Sequence, residues 1–387
     1  MRVFVAGATG AIGKQLVPRL VAAGHEVTGM TRSESKQAMI RELGAVPVVA
    51  DALDPGQVAE AVRRARPEVI VHQLTALAGV ERYTERDAAP TNRLRTEGTD
   101  HLLSAGQAVG VRRFVAQGVA GYGAYARSGG PVKSEEDPLD PAPVREMRET
   151  LAAIRHLEKA VLGAKWTEGI VLRYGAFYGP GTSLAPGGEQ FELVRRRKFP
   201  LVGDGGGVWS FIHVADAAEA TLAAVERGDR GVYNVVDDDP APVAEWLPAL
   251  AQTLGAKKPM RVPRFVGRLF AGEAGVVMMT DVRGASNAKA KGRLGWRPAH
   301  PSWRAGFRSR PRRGATGGAV AGIGPRLRPS SQDLHGLPGF PYQLLPALPS
   351  AQMRAPERRS AAGLLWTISE RAGRESSLVD ERCEHVR

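Results

Sequence analysis

Short apolar runs alternate with helical apolar stripes along the first half of the chain. Residues 3–6 form an apolar run, and apolar side chains then recur at helical spacing over residues 12–21. The further apolar runs that predict strands cover residues 26–30, 46–50, 69–73, 114–116 and 169–173. Helices are predicted between them, one beginning after Asp54 and one with a stripe from Met147 to Val161. Continuous apolar strands that alternate with helices predict an α/β fold, a doubly wound parallel sheet with helices on both faces.

The pattern changes after about residue 176, where the apolar segments become shorter and mixed. The elements predicted there are a helix over 214–226, a strand over 232–236 and a helix that opens near Pro242. We interpret residues 176–307 as the main part of a smaller C-terminal substrate lobe. Residues 1–307 are therefore predicted to contain both the sheet and this lobe.

The last fifth of the chain differs in composition from the rest. After Phe307 the periodicity ends, and Arg, Gly, Pro, Ala, Ser and Leu dominate. We predict that residues 308–387 form a basic, mostly disordered tail. Because the Arg, Gly, Pro and Ala bias without Lys suits GC-rich codons, an out-of-frame or read-through extension is the alternative interpretation.

The net charge divides at the same boundary. The whole chain has 53 Lys+Arg against 40 Asp+Glu, a formal charge of +13. Residues 308–387 hold 13 Arg, no Lys and seven acids, which is +6, so the first 307 residues carry +7. Few aromatic side chains lie between the arginines of the tail, and the charge therefore does not favour a nucleic-acid partner.

Composition excludes several classes of protein. With 43% hydrophobic and 24% charged residues, the 387-residue chain is typical of globular proteins and unlike collagen or wholly disordered chains. The single cysteine, Cys383, rules out an intramolecular disulfide framework. No secretory leader opens the sequence, and no apolar run approaches the roughly 18 to 20 residues that cross a bilayer. We therefore expect a cytoplasmic protein with no membrane partner, and we predict no metal site.

A glycine-rich turn between the first strand and the first helix carries the strongest chemical signal. Its spacing is Gly7-x-x-Gly10-x-x-Gly13, within VFVAGATGAIG. Gly7 permits a tight turn, and Gly10 lets backbone N–H groups approach a pyrophosphate. Gly13 lets the helix pack close to the strand, so that the anion lies at the helix N-terminus. The turn therefore predicts an NAD or NADP site.

The residues that follow the second and third strands bear on which cofactor binds. The second strand leads into Thr31-Arg32-Ser33, with no carboxylate for the ribose 2′-hydroxyl of NAD. Arg32 can pair with a 2′-phosphate, which favours NADP, or it is a solvated loop charge. Asp51 either hydrogen-bonds the adenine amino group or caps a turn. The residues assigned to the cofactor are Gly7, Thr9, Gly10, Ala11, Ile12, Gly13, Arg32, Asp51, Ala52, Leu74 and Thr75.

Several segments in one order resemble the extended short-chain dehydrogenase/reductase superfamily. They are GATGAIG at 7–13, LRYGAFYGPG at 172–181, WSFIHVADAAEA at 209–220, YNVVDDDPAPVAEWLPALA at 233–251 and NAKAKGRLGWRPAHPSWRAGF at 287–307. Within it the chain is most similar to the NAD-dependent epimerase/dehydratase family, in its atypical, bacterial sugar-epimerase-like branch. The resemblance spans residues 1 to about 307 and implies a Rossmann-type sheet, bound NAD or NADP and a homodimer through helices that flank the sheet.

The resemblance also shows where the catalytic residues depart from the family. Active members use a Tyr-x-x-x-Lys pair on one helix, with a Ser or Thr at the end of the fifth strand. The Tyr serves as acid and base, and the Lys lowers its pKa. Glu158 matches the family Glu that follows the Tyr by eight residues, which places Thr150 at the Tyr position and Ile154 at the Lys position. Gly118 stands at the Ser or Thr position, so the constellation is predicted to be missing.

Two tyrosines are the remaining catalytic candidates. Tyr122, just past the fifth strand, is interpreted as a proton donor or as a pocket wall. Tyr178 resembles a family position near the nicotinamide and is interpreted as lining the pocket or as catalytic. His213 either caps the helix that follows it or transfers protons, and Asp216 is expected to be structural.

Two further residues are assigned to the substrate. Arg173 resembles the family arginine before the Tyr-Gly-Pro-Gly turn and is predicted to line the pocket. Trp209 stands where sugar-nucleotide enzymes usually carry an arginine that would contact a diphosphate. Its presence favours a more apolar ligand over a sugar nucleotide.

The leading functional hypothesis is an NAD(P)-dependent oxidoreductase or epimerase/dehydratase-like enzyme. Its substrate would be a small carbonyl or hydroxyl compound, and Tyr122 or a water molecule would assist the proton step. The alternative is a non-catalytic NAD(P)-binding sensor or scaffold that keeps the glycine-rich turn without the catalytic residues.

Overall fold

Fifteen β-strands are present in the computed structural model, which describes residues 1–77, 85–121 and 123–308. The strands are β1 Arg2–Ala6, β2 Glu26–Thr31, β3 Val46–Val49, β4 Val69–His72, β5 Arg113–Val119, β6 Val132–Lys133, β7 Glu168–Tyr174, β8 Ala176–Tyr178, β9 Leu201–Val202, β10 Val208–Trp209, β11 Phe211–His213, β12 Gly231–Val235, β13 Ala241–Pro242, β14 Arg261–Val262 and β15 Gly284–Ala285. Seven of them form one parallel sheet in the order β12-β7-β5-β4-β1-β2-β3.

Helices connect these strands and cover the sheet. They are α1 Ala11–Ala22, α2 Gln37–Glu42, α3 Pro55–Ala65, α4 Glu85–Arg95, α5 Glu97–Ala108, α6 Arg148–Gly163, α7 Glu189–Arg195, α8 Val214–Arg227, α9 Val243–Thr253, α10 Arg264–Thr280, α11 Ala288–Arg293 and α12 Trp303–Arg308. Short 3-10 turns precede α2 and α6, at Glu34–Lys36 and Arg145–Met147.

The sheet is buried on both faces because successive strand residues point to opposite sides. In β1, Val3 and Val5 belong to a core shared with α1 and α8. Phe4 and Ala6 belong to a second core shared with α3, α5 and α6. The predicted doubly wound parallel sheet is therefore confirmed.

Strand and helix positions agree closely with the sequence pattern in the sheet. The strand expected at 114–116 runs from Arg113 to Val119, and the helix expected after Asp54 begins at Pro55. Asp54 caps that helix, because its Oδ1 accepts a hydrogen bond from the Gln57 N–H at 3.0 Å. The sequence pattern missed α4, which has few buried apolar residues, and α10, whose buried apolar residues lie only in its second part, at Val276, Val277 and Met279.

A separate apolar core lies among residues from 147 to 303. Its largest members are Trp209, Phe211, Trp246 and Trp303, whose rings contact one another. By contrast, α8 and β12 return to the main sheet. The assignment of residues 176–307 to a substrate lobe stays a prediction.

Three regions that bear on the sequence predictions lie outside the described residues. They are residues 78–84, Tyr122 and the tail from residue 309 onward. Among the helices that the structure describes, none has the length and apolar character needed to cross a membrane.

Candidate functional site

The carboxyl edge of the sheet between β1 and β4 is the candidate cofactor site. From β1 the sheet continues through β2 and β3 on one side and through β4 and β5 on the other. Such a reversal of strand order leaves a crevice at the carboxyl ends of the strands, where ligands bind in open α/β sheets. The glycine-rich turn at 7–10 follows β1 and opens onto this crevice.

Two glycines of the turn have no room for a side chain. Gly7 has φ +97°, and a Cβ there would lie 2.8 Å from the carbonyl oxygen of Gln73. A Cβ on Gly13 would overlap the backbone carbonyls of Gly7 and Ala8. The first helix can therefore approach the end of β1 only because these residues are glycines.

The N-terminus of α1 is suited to an anion. Gly10 is its N-cap residue, no side chain caps its first N–H groups, and no acid lies in its first turn. The positive end of the helix dipole therefore faces the crevice without a competing carboxylate. Thr9 and Ala11 are half-buried beside it, and Ile12 is buried. These features fit a dinucleotide pyrophosphate.

The predicted specificity residues stand around the same edge. Arg32 follows β2 and is exposed, and within the described residues its side chain makes no hydrogen bond or ion pair. Asp51 caps a turn, because its Oδ1 accepts the Leu53 N–H at 3.0 Å. Ala52 is buried, and its carbonyl oxygen lies 2.9 Å from Nδ1 of His101. The roles of all three toward a cofactor stay predictions.

His72, at the end of β4, was not singled out from the sequence. Its Nδ1 accepts the N–H of Leu74 at 3.3 Å, so Nε2 carries the proton and donates to Thr99 Oγ1 at 3.1 Å. Burial lowers the pKa of His72 to about 4. The neutral imidazole thus fixes the backbone at Leu74, while Thr75 is exposed.

The three positions of the expected catalytic set carry no acid or base. Gly118 lies in β5, where a Cβ would be 2.8 Å from Val171 Cγ1 and 3.1 Å from Arg173 Cγ. Thr150 Oγ1 lies 3.4 Å from the donating Nδ2 of Asn92. Ile154 is buried in an apolar cluster and presents no cation.

Arg173 is held by other buried side chains. Its Nε and Nη2 donate to the two carboxylate oxygens of Glu158 at 2.6 and 2.7 Å. Its Nη1 donates to Tyr125 Oη at 3.0 Å, and Tyr125 donates to Asn234 Oδ1 at 2.5 Å. Pairing with Glu158 raises the pKa of Arg173 against the opposing effect of burial. The structure shows internal partners for this guanidinium, and its predicted contact with substrate stays a prediction.

Tyr178 belongs to the apolar core that also contains Trp209 and Phe211. Its ring meets the rings of His213 and Phe307 edge to face, and it is 1% exposed. Burial raises the pKa of Tyr178, and the nearby Asp237 and Asp216 carboxylates raise it further. Its predicted catalytic role stays a prediction, as does that of Tyr122, which lies outside the described residues.

His213 caps α8, the first of the two roles considered for it. Its Nδ1 accepts the N–H of Ala215 at 3.3 Å. The ring stacks on His300 with centroids 3.7 Å apart, and His300 Nδ1 lies 3.1 Å from Asp216 Oδ2. These three side chains could hold a metal ion, but Nδ1 of His213 already accepts the Ala215 N–H and its ring stacks on His300 at an interplanar angle of 22°. The arrangement favours packing of residue 300 against α8.

Trp209 is part of the separate apolar core. It is 6% exposed, its Nε1 donates to the Met278 carbonyl at 2.8 Å, and its ring contacts Trp246. Its predicted contact with substrate stays a prediction.

Comparisons with known proteins agree with this geometry. Residues 3–236 match the model of the NAD dependent epimerase/dehydratase family. A Streptomyces protein named 3-diazoavenalumate denitrifying reductase is 47% identical over 308 residues, which cover 79% of this chain and 99% of that protein. A second relative, from Stigmatella aurantiaca, is 28% identical over 66% of this chain and 74% of that protein. Its name is 4-hydroxy-2-methyl-3-oxo-4-farnesyl-3,4-dihydroquinoline-1-oxide ketoreductase. The structure of Thermus thermophilus UDP-glucose 4-epimerase in complex with NAD aligns with TM-score 0.62 and 26% identity, over 80% of this chain and 97% of that one.

We predict that Gly13→Ala weakens cofactor binding at least about tenfold, because the new methyl group must push α1 away from the turn that holds the pyrophosphate. Isothermal titration with NADPH and NADH measures the effect. Gly163→Ala is the matched control, since a Cβ there meets open space. Equal affinity in both variants would contradict the assignment, provided that circular dichroism shows both to be folded.

A second prediction concerns acid stability. The folded-state pKa of His72 lies below its unfolded value, so acid protonates the unfolded chain first, and stability falls as the pH drops from about 6.5 to about 4. The loss assigned to His72 is at most about 3 kcal/mol. In urea denaturation His72→Gln should lose less stability than the parent chain between these pH values. An unchanged slope in His72→Gln would refute the argument.

Proposed function

The chain belongs to the NAD-dependent epimerase/dehydratase family and is an NAD(P)-binding protein of the oxidoreductase class. We propose that it is a reductase of aromatic diazo compounds. The observation that carries the proposal is the catalytic set itself. The family resemblance predicts Thr150 and Ile154 at the positions where a carbonyl-reducing site needs a proton donor and its cation. The proposed reaction is one that does not need them.

The residues present fit a dinucleotide. Gly7, Gly10 and Gly13 leave the N–H groups of α1 open to the pyrophosphate. Arg32 is the side chain available to a 2′-phosphate, which supports NADPH over NADH. When bound, this cofactor supplies a hydride.

Proton demand distinguishes the candidate substrates. A ketone that accepts a hydride becomes an alkoxide, and an acid that protonates it contributes roughly a hundredfold to ten-thousandfold to the rate. An arenediazonium group is already electron-poor. A hydride adds to its terminal nitrogen and gives an aryl diazene, which carries no charge from that step. The C–N bond then breaks, N₂ leaves, and the hydrogen passes to the ring carbon, so the protein need not supply a proton.

The remaining residues set the environment of the substrate. Ile154 packs with Leu151 and Ala124 in a buried apolar cluster near the end of β5, and an apolar wall there would suit an aromatic ring better than a sugar. The reductase named for 3-diazoavenalumate is 47% identical along nearly its whole length, and this supports the same substrate class. The ketoreductase relative supports the carbonyl substrate as the second candidate. The predicted homodimer stays a prediction.

We predict turnover of a simple aromatic diazo compound. Purified protein with NADPH deuterated at the transferable C4 position should convert 3-diazo-4-hydroxybenzoate to 4-hydroxybenzoate with release of N₂. Deuterium should appear at the ring carbon that lost nitrogen. The rate should vary by less than about threefold between roughly pH 6 and pH 9, because no protein acid takes part. Mass spectrometry, gas analysis and NADPH absorbance provide the measurements.

Two controls define failure of this prediction. Reaction mixtures without protein give the background, and 4-hydroxybenzaldehyde tests the carbonyl candidate. Turnover of the aldehyde alone, with a rate that falls about tenfold for each pH unit, would favour a protein acid and the carbonyl substrate. Cofactor binding without consumption of either compound would favour the non-catalytic sensor or scaffold.

We further predict that Arg32→Gln weakens NADPH binding about tenfold and leaves NADH binding nearly unchanged, because only NADPH has the 2′-phosphate. Arg41→Gln, an exposed arginine on α2, is the matched control. Titration of both cofactors against each variant measures the selectivity. Equal weakening of NADH and NADPH would contradict the role given to Arg32.

A further inference from the structure

Exposed apolar side chains are concentrated in residues 257–272, which we call the basic arm. Phe265, Leu269 and Phe270 are 71%, 79% and 75% exposed, and Met260 is 47% exposed. The other large apolar residues exposed in the described part of the chain are valines and one leucine at scattered positions. Single exposed apolar residues are ordinary, but a cluster of this kind indicates a docking surface.

The basic arm is held in place by the lobe beneath it. Its strand β14 pairs with β9, and a Cβ on Gly267 would overlap Val202. The guanidinium of Arg264 donates to Thr280 Oγ1 at 2.5 Å and to Asp281 Oδ1 at 2.6 Å. These contacts hold the inner side of the arm against β9, while Phe265 and Leu269, one helical turn apart, stay exposed.

The helix is also interrupted at the end of the basic arm. Gly272, inside α10, has φ +70° and ψ 179°, which ends the first helical segment. The next N–H, of Glu273, donates to Glu146 Oε1 at 3.2 Å. Both ends of the first segment of α10 are therefore fixed, and its apolar surface is presented outward by a defined backbone.

The charge around the apolar surface is positive. No Asp or Glu occurs between Glu245 and Glu273. Arg264 and Arg268 are paired with Asp281 and Glu273. Of the cations in the basic arm, Lys257, Lys258 and Arg261 make no side-chain hydrogen bond or ion pair with the described residues.

We propose that the basic arm docks this protein on the surface of an anionic lipid bilayer. Phenylalanine and leucine on one side of a short helix, with lysine and arginine beside them, are typical of segments that lie in the plane of the lipid headgroups. Long cationic side chains reach the phosphates while their methylene stems stay apolar. A protein interface is less suited, because lysine is depleted from interface cores. The expectation of no membrane partner rested on the absence of a spanning segment, and surface docking requires none.

Vesicle flotation tests the proposal on the full chain. Binding to vesicles of phosphatidylcholine with phosphatidylglycerol should exceed binding to phosphatidylcholine alone by at least about tenfold and should fall with salt. The triple variant Phe265→Ser, Leu269→Ser and Phe270→Ser should bind at least about tenfold less. Val46→Ser, which removes an exposed apolar side chain from β3, is the control and should bind as the parent does.

Charge needs its own control because residues 308–387 carry +6. The triple variant Lys257→Gln, Lys258→Gln and Arg261→Gln should reduce binding about a hundredfold. A variant with the same loss of charge elsewhere, Arg41→Gln, Lys165→Gln and Arg293→Gln, should reduce it much less. Equal reductions in the two would show that net charge alone drives binding and would overturn the proposal.

A local probe separates the basic arm from the tail. Leu269→Cys in a Cys383→Ser background, labelled with the environment-sensitive dye NBD, should brighten several-fold on anionic vesicles. Vesicle binding without this change would place the contact elsewhere and overturn the proposal. Light scattering without lipid tests whether a second copy of the chain covers the basic arm instead. A dimer that the triple variant of Phe265, Leu269 and Phe270 abolishes would also overturn the proposal.

Discussion

The close packing of α1 on the turn that precedes it is the contact on which the candidate site depends. Gly13 places the helix directly over the carbonyls of Gly7 and Ala8. This approach brings the unpaired N–H groups of the first helical turn to the carboxyl edge of the sheet, beside the ends of β1 and β4. Because the carbonyls of Gly7 and Ala8 directly follow β1, a larger side chain at position 13 would displace the helix and the candidate anion site together.

A buried group of polar side chains at the same edge fixes the position of α6. A Cβ on Gly118 would crowd the stem of Arg173, so the glycine gives that buried side chain room. Arg173 in turn pairs with Glu158 on α6, the helix that carries Thr150 and Ile154. Removing one partner of a buried pair typically costs about 3 to 5 kcal/mol, so this pair strongly constrains the position of α6. The position of the helix therefore does not depend on a Tyr at 150 or a Lys at 154.

The sheet was predictable from the sequence because burial on both faces leaves continuous apolar strands, as in β4 and β7. The cofactor turn was predictable because its glycines follow directly from backbone geometry. Other parts of the site depend on distant contacts that spacing cannot show. The His72 imidazole is hydrogen-bonded to Thr99, and Nδ1 of His300 lies within hydrogen-bond distance of Asp216, which is 84 residues away in the sequence. The sequence singled out Arg173 as a candidate site residue. Its hydrogen-bond partners, such as Tyr125, could be identified only from the folded structure.

The basic arm shows a different limit of sequence patterns. Pattern analysis assumes that apolar residues of a helix face the core, and in most of this chain they do. In the first segment of α10 the residue that faces the lobe is Gly267, against Val202, while Phe265 and Leu269 face outward. Burying a glycine and exposing two large apolar side chains lowers the stability of the isolated chain relative to the reverse arrangement. Such an arrangement is explained by a surface outside the chain that takes up the apolar side chains. The cations beside them then select among such surfaces for one that is negatively charged.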